Sequence, residues 1–141
     1  RRQLHGGGFQ RTYLAVCAGR PDPPAGTVDL PIGRAQGSAV KRQICPGGQA
    51  ARTRYRTLRC NGDLTLAALW PQTGRTHQIR VHMAAMGCPL AGDWLYGTED
   101  RALIPRPALH ACRLTLCHPA TGALLDVTAP LPADMKRLLE C

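Results

Sequence analysis

The sequence predicts an α+β fold: a mostly antiparallel or mixed β-sheet with one central helix and one C-terminal helix. Three observations carry this. Short apolar runs of strand length recur along the chain. They are separated by turn signals drawn from 15 Gly and 12 Pro. Only two stretches have helical spacing. A length of 141 residues suits one compact domain that buries its own core.

Thr12–Ala18 (TYLAVCA) reads as a buried strand, ended by Gly19 and the Pro-rich stretch Pro21–Gly26. Val28–Ile32 reads as a short strand. Ser38–Ile44 and Ala51–Cys60 flank Pro46-Gly47-Gly48 and predict a hairpin. Within the second, Thr53, Tyr55 and Thr57 alternate with Arg52, Arg54 and Arg56, and a period of two places the arginines on one strand face. Asn61-Gly62 signals a tight turn, and Asp63–Leu69 continues as a strand.

Thr76–Met86 has helical spacing, with Ile79, Met83 and Met86 at i, i+4 and i+7. Gly87 and Pro89 stop it. Arg113–Cys117 and Leu124–Thr128 form two further strands around Pro119–Gly122. Pro132 opens a final short helix whose apolar face holds Met135, Leu138 and Leu139. There is no internal repeat and no low-complexity segment.

The formal charge is +9, from 18 Lys and Arg against 9 Asp and Glu. Eleven basic and two acidic residues fall within the first 60, so the entire excess lies there. Sixteen of the cations are Arg, which forks onto phosphate oxygens and stacks on bases. This suggests an anionic polymer such as RNA; the competing reading is Arg-for-Lys codon usage in a GC-rich genome. Seven Cys are present, an odd number without a Cys-x-x-Cys pair. Cys112 and Cys117 sit near His118, but no second ligand pair faces them, so reduced thiols are expected rather than zinc. No apolar run approaches the ~20 residues of a membrane span, and no signal peptide is visible. A cytoplasmic, bacterial, monomeric protein is expected, with no metal and no membrane partner.

The segment Thr73–His82 (TGRTHQIRVH) follows a strand and opens a helix. Arg75 lies at or just before the first helical turn. A cation there opposes the helix dipole at a cost of a few tenths of a kcal/mol. It is best tolerated if aimed at a carboxylate or a phosphate; the alternative is a solvated loop arginine. His77 and His82 are five apart, share no helix face as an i, i+4 pair would, and have no Glu between them, which argues against a zinc site. No Gly-x-Ser-x-Gly and no phosphate-loop motif occurs.

Residues 73–97, TGRTHQIRVHMAAMGCPLAGDWLYG, resemble the signature of the RluA-type RNA pseudouridine synthases. Arg11-Thr12-Tyr13 resembles the family's Lys-x-Tyr strand, and Ala51-x-Thr53-x-Tyr55 its Ala-x-Thr-x-Tyr strand. Leu109-His110-Ala111, with Leu114, His118 and Pro119, resembles its Leu-His-Ala stretch. Pro130-Leu131-Pro132 resembles its closing Pro-Leu-Pro. The resemblance covers nearly the whole chain.

The resemblance implies an isomerase that converts specific uridines of rRNA or tRNA to pseudouridine without a cofactor. The base flips into a pocket. An Asp attacks, the C1′–N1 bond breaks, and the uracil rotates and rejoins through C5. It implies Arg75 as the ion-pair partner of that Asp, and Tyr13 as the residue that packs on the base and serves in removing the C5 proton. A plain core aromatic is the alternative for Tyr13. Ile79 and Leu109 are the implied pocket residues, Ile79 being equally readable as core. Arg11, Lys41, Arg42, Arg52, Arg54, Arg56, His77 and Arg80 are the candidate RNA contacts, with solvent as the alternative for His77 and Arg80. Asp93 reads as fixing its loop.

One departure stands out. None of the seven Asp follows Arg-Leu or sits in a Thr-Ser-Gly context, as the family's nucleophile does. That segment would precede the Lys-x-Tyr strand. The chain, which starts at Arg1, is therefore expected to be the C-terminal portion of a catalytic domain, with its nucleophile upstream, and to be inactive alone. The alternative is a non-catalytic RNA-binding module of the same fold.

Overall fold

A computed structural model describes residues 9–117 and 120–140. His118 and Pro119, part of the quoted resemblance, lie outside the described residues. The described chain is α+β. Six strands form one sheet: β1 (Phe9–Ala18), β2 (Ala25–Asp29), β5 (Arg52–Asn61), β6 (Leu64–Pro71), β7 (Leu109–Cys117) and β8 (Leu124–Thr128). Their order is β2-β5-β6-β1-β7-β8, with every neighbouring pair antiparallel. A separate two-stranded sheet pairs β3 (Ile32–Arg34) with β4 (Arg42–Ile44). The helices are α1 (Gln78–Ala85) and α2 (Ala133–Leu138).

The expected hairpin across Pro46-Gly47-Gly48 does not form. β4 turns back onto β3, and β5 pairs with β2 and β6. The turn instead folds Gln49 across Ile32, with reciprocal backbone bonds of 2.9 and 2.8 Å. Gly48 permits this approach, since a Cβ there would stand 2.5 Å from the Ile32 carbonyl oxygen. The expected strand Val28–Ile32 likewise breaks at Leu30-Pro31. Proline brings no ladder donor, so the chain leaves β2 and re-enters pairing as β3.

The sheet is covered on both faces near its centre. On one face Ala15, Cys17, Tyr55, Ala67 and Leu69 pack with Ile79 and Met83 of α1, joined at the margin by Tyr13 and Leu109. On the other, Val16, Leu64 and Leu66 pack with Met135, Leu138 and Leu139 at α2. Each such large apolar side chain removed from water contributes roughly 1.5–3 kcal/mol. The predicted alternation in β5 is present: Thr53 and Tyr55 are buried against α1, while Arg52, Arg54 and Arg56 are exposed on the opposite face. At the far edge, β8 leaves Leu124, Leu125 and Val127 exposed.

Candidate active site

A polar network fixes the loop between β6 and α1. Gln78, buried at the first turn of α1, donates from its amide to the Arg52 carbonyl (2.8 Å) and to Thr53 Oγ1 (2.9 Å). Its Oε1 accepts from the Thr73 hydroxyl (2.6 Å) and the Arg75 N–H (3.1 Å). The Arg52 N–H donates to Thr73 Oγ1 at 3.0 Å. The Thr53 hydroxyl then donates to His82 Nδ1 (2.8 Å), and His82 Nε2–H donates to the Leu30 carbonyl (2.9 Å). Every donor has an acceptor in this assignment, which is the condition for a buried polar network to rigidify its surroundings. Burial pushes the His82 imidazolium below the ordinary histidine range, so the ring is neutral there.

The result is a cavity of about 280 Å³ where β1, the β6–α1 loop and the start of β7 converge. It is lined by Arg11, Tyr13, Arg75, His77, Ile79, Arg80 and Leu109, together with Pro71, Thr73, Gly74 and Gln78. β1 slips register against β7 between Thr12 and Tyr13, the kind of bulge that re-aims a side chain at a site. Arg75 is half-buried. Its Nε donates to the Ala50 carbonyl at 2.8 Å. Among the described residues no Asp or Glu lines the cavity and no ion pair involves Arg75. Helix α1 begins two residues later than the sequence predicts, so Arg75 stands in the turn ahead of it and accepts the Gln78 N–H at its carbonyl.

His77 caps α1 with φ of 56°, the one non-glycine residue in the left-handed region among those described. Such backbone strain persists where the surroundings over-determine it. Here its Nδ1 meets the Tyr96 hydroxyl at 2.7 Å, and that oxygen also accepts the Arg42 N–H at 2.9 Å. Burial first, then the charges of Arg80 and Arg42, hold the His77 imidazolium below its usual range. Arg80 donates from Nε and Nη2, along one edge of its guanidinium, to the two oxygens of fully buried Asp93, at 2.9 and 2.8 Å. Asp93 also accepts the Leu95 and Tyr96 N–H groups. Burial alone would raise this carboxyl; the Arg80 bonds and the two N–H groups outweigh it and hold it below the ordinary carboxylate range. Asp93 thus ties its loop to α1.

Seven residues singled out from the sequence share the cavity: Arg11, Tyr13, Arg75, His77, Ile79, Arg80 and Leu109. Arg52, Arg54 and Arg56 do not reach it. Arg52 pairs with Asp29 at 3.0 Å, and Arg54 lies 4.5 Å over the Trp70 ring. Lys41 is exposed beside β4, and Arg42 borders a second cavity described below. Gln78, which organises the loop, was not singled out. Its signal was present: Gln78 and His82 stand at i, i+4, so two polar residues share one buried helix face. No cluster of three or more His, Cys, Asp or Glu suited to a metal ion occurs among the described residues.

The family model for RNA pseudouridylate synthase matches residues 1–85, which span the β1 strand, the cavity loop and α1. The chain belongs to the RNA pseudouridine synthase family. Within it, the chain is 44% identical over 139 residues to the uncharacterized RNA pseudouridine synthase YhcT of Bacillus subtilis, covering 97% of this chain and 46% of that protein. It is 43% identical to the ribosomal large subunit pseudouridine synthase D of Nitrosomonas europaea, covering 99% of this chain and 42% of that one. Among solved structures, human RNA pseudouridylate synthase domain containing 1 superposes with a TM-score of 0.72 at 29% identity, over 86% of this chain and 54% of that one. This pseudouridine synthase chain therefore spans about half the length of the curated relatives it matches, and the RluA-type resemblance of its signature agrees with them.

Proposed function

We propose that the chain supplies the uridine pocket of an enzyme that isomerises specific uridines of rRNA or tRNA to pseudouridine in the bacterial cytoplasm. One observation carries the reading. Tyr13 and Arg75 line the same cavity, and that cavity lacks a carboxylate among the described residues. In this reading Tyr13 packs on the flipped base beside Ile79 and Leu109. Arg75, its backbone N–H held by Gln78 and its Nε by the Ala50 carbonyl, pairs with an Asp contributed from outside the 141 residues. That Asp attacks C1′ as the C1′–N1 bond breaks; C5 of the rotated uracil then displaces the carboxylate from C1′, Tyr13 serves in taking the C5 proton, and N1 gains a proton from water. Without the Asp the chain binds RNA but does not turn over.

Tritium release from RNA carrying uridine labelled at C5 tests this. The chain alone is expected to release none above background. The protein translated with the reading frame that precedes Arg1 is expected to release it, and Arg75→Met in that protein to abolish release. Turnover by the 141 residues alone would show that the nucleophile lies among the seven Asp and that the reading misplaces it.

A further inference from the structure

Beside the uridine cavity lies a second one, of about 300 Å³, that shares Arg75 with it. Its walls come from the small β3–β4 sheet and the turn that follows. Arg34 and Arg42 line it, with Gly47, Gly48 and Thr76. Arg34 and Arg42 are direct cross-strand partners, so their side chains leave the sheet on the same face. Like charges placed directly opposite are destabilising. Among the described residues no acid offsets this pair. Among the described residues neither arginine takes part in an ion pair, and the one side-chain bond found, from Arg42 to the Val40 carbonyl at 3.2 Å, brings no negative charge. Arg75, the third cation on the cavity, spends only its Nε, on Ala50. The other arginines with forked partners — 52, 80, 106 and 113 — each meet an Asp. A pair of opposed, uncompensated guanidiniums on a cavity wall is an arrangement completed by an external anion, and the guanidinium fork matches phosphate oxygens.

We propose that Arg34 and Arg42 grip a backbone phosphate of the RNA, next to the nucleotide whose base enters the Tyr13 cavity. This rests on the uridine reading above and deepens it. Arg75 stands between the two cavities, so one residue borders both the base and the phosphate position. The Gly48 approach to Ile32 that replaced the expected hairpin is what holds the turn as the cavity's far wall. Phosphate contacts fix register and carry no sequence information, so this site orients the strand while the neighbouring cavity reads the base.

The test uses the 141-residue chain, a labelled oligouridine RNA and, separately, inorganic phosphate. Wild type is compared with Arg34→Gln, Arg42→Gln and the double variant. The double variant is expected to bind oligouridine about tenfold more weakly, the scale of a charged hydrogen bond lost to one phosphate. The slope of log affinity against log salt should flatten by about 0.7, the value for one phosphate on a single strand, rather than twice that. Arg101→Gln, which removes an exposed partner of Glu99, should change neither. In thermal melts without ligand, Arg42→Gln should match or exceed wild type, because a like-charge contact is relieved. Inorganic phosphate should raise the midpoint of wild type more than that of the double variant; stabilisation by oligouridine but not by phosphate marks a site that needs the RNA chain and still supports the proposal. Oligouridine binding by the double variant with unchanged affinity and slope overturns the phosphate site and leaves the uridine reading standing. Weakened binding in the double variant, with Tyr13→Ala binding like wild type, supports the phosphate site and sinks the uridine reading.

Discussion

Asp93 and His82 show how single buried groups hold the site. Asp93 is fully buried and spends its oxygens on Arg80 and two backbone N–H groups. Asp93→Asn leaves Arg80 with a poor partner in a confined space, and a loss of about 3–5 kcal/mol is expected; urea unfolding of wild type and variant measures it. The folded carboxyl sits below its unfolded value. Its contribution is therefore complete above the unfolded value of ~3.9 and is lost as pH falls through the lower folded one. His82 has the same sign for the opposite charge. Its folded value is depressed by burial. Between that value and the unfolded ~6.5 the unfolded chain holds more protons, so stability declines as pH drops below about 6.5. Denaturation midpoints at pH 7.5 and 5.5, with an NMR titration of the His82 ring, check this. A ring that titrates at or above 6.5 would contradict the neutral assignment of the Thr53–His82–Leu30 chain. At this scale the sequence singled out Arg75 and Tyr13 by their neighbour patterns, and the fold brings both to one cavity. Gln78 was marked only by its i, i+4 spacing with His82; its amide partners, the Arg52 carbonyl and Thr53 Oγ1, lie on a strand more than 20 residues away.

The strands and helices followed their periodicities closely because the periodicity is itself the record of burial. β5 alternates, α1 buries Ile79 and Met83, and α2 buries Met135 and Leu138. Pairing was another matter. Pro46-Gly47-Gly48 resembles a hairpin turn locally, and only the long-range bond between Ile32 and Gln49 decides that β4 returns to β3. The face of a strand was legible in the same way, but not what that face meets. Arg52, Arg54 and Arg56 do share one face, and it is the one turned away from the Tyr13 cavity. If RNA stays on the cavity side, replacing all three with Gln should flatten the salt slope by less than one single-strand contact, about 0.7. A drop near 2, roughly three such contacts, would mean that the RNA wraps past β2 to the rear face. Filter binding over a salt series separates these outcomes.

The molecule as a whole divides by charge as well as by layers. The excess of +9 lies in the first 60 residues, and these build β1 to β5 with the arginine-lined cavity. The later residues carry balanced charge and supply α1, α2 and the packing beneath. Fold class was legible from the alternation of strand and helix signals. Sheet order was not, because it is set by which apolar faces meet across long stretches of chain.

That order fixes a sequence of events in time. β1 is a central strand, flanked by β6 and β7, yet it is synthesised before either. The contact from Cys112 Sγ to the Thr12 carbonyl closes 100 residues of chain. Loop closure over such a span is entropically costly and slows assembly, whereas β5 and β6 meet across the short Asn61-Gly62 turn. Refolding should accordingly protect β5–β6 amides from hydrogen exchange first, β1 amides facing β6 next and those facing β7 last. Until that final pairing the Tyr13 side of the cavity has no second wall, so the site comes into being only at the end of folding.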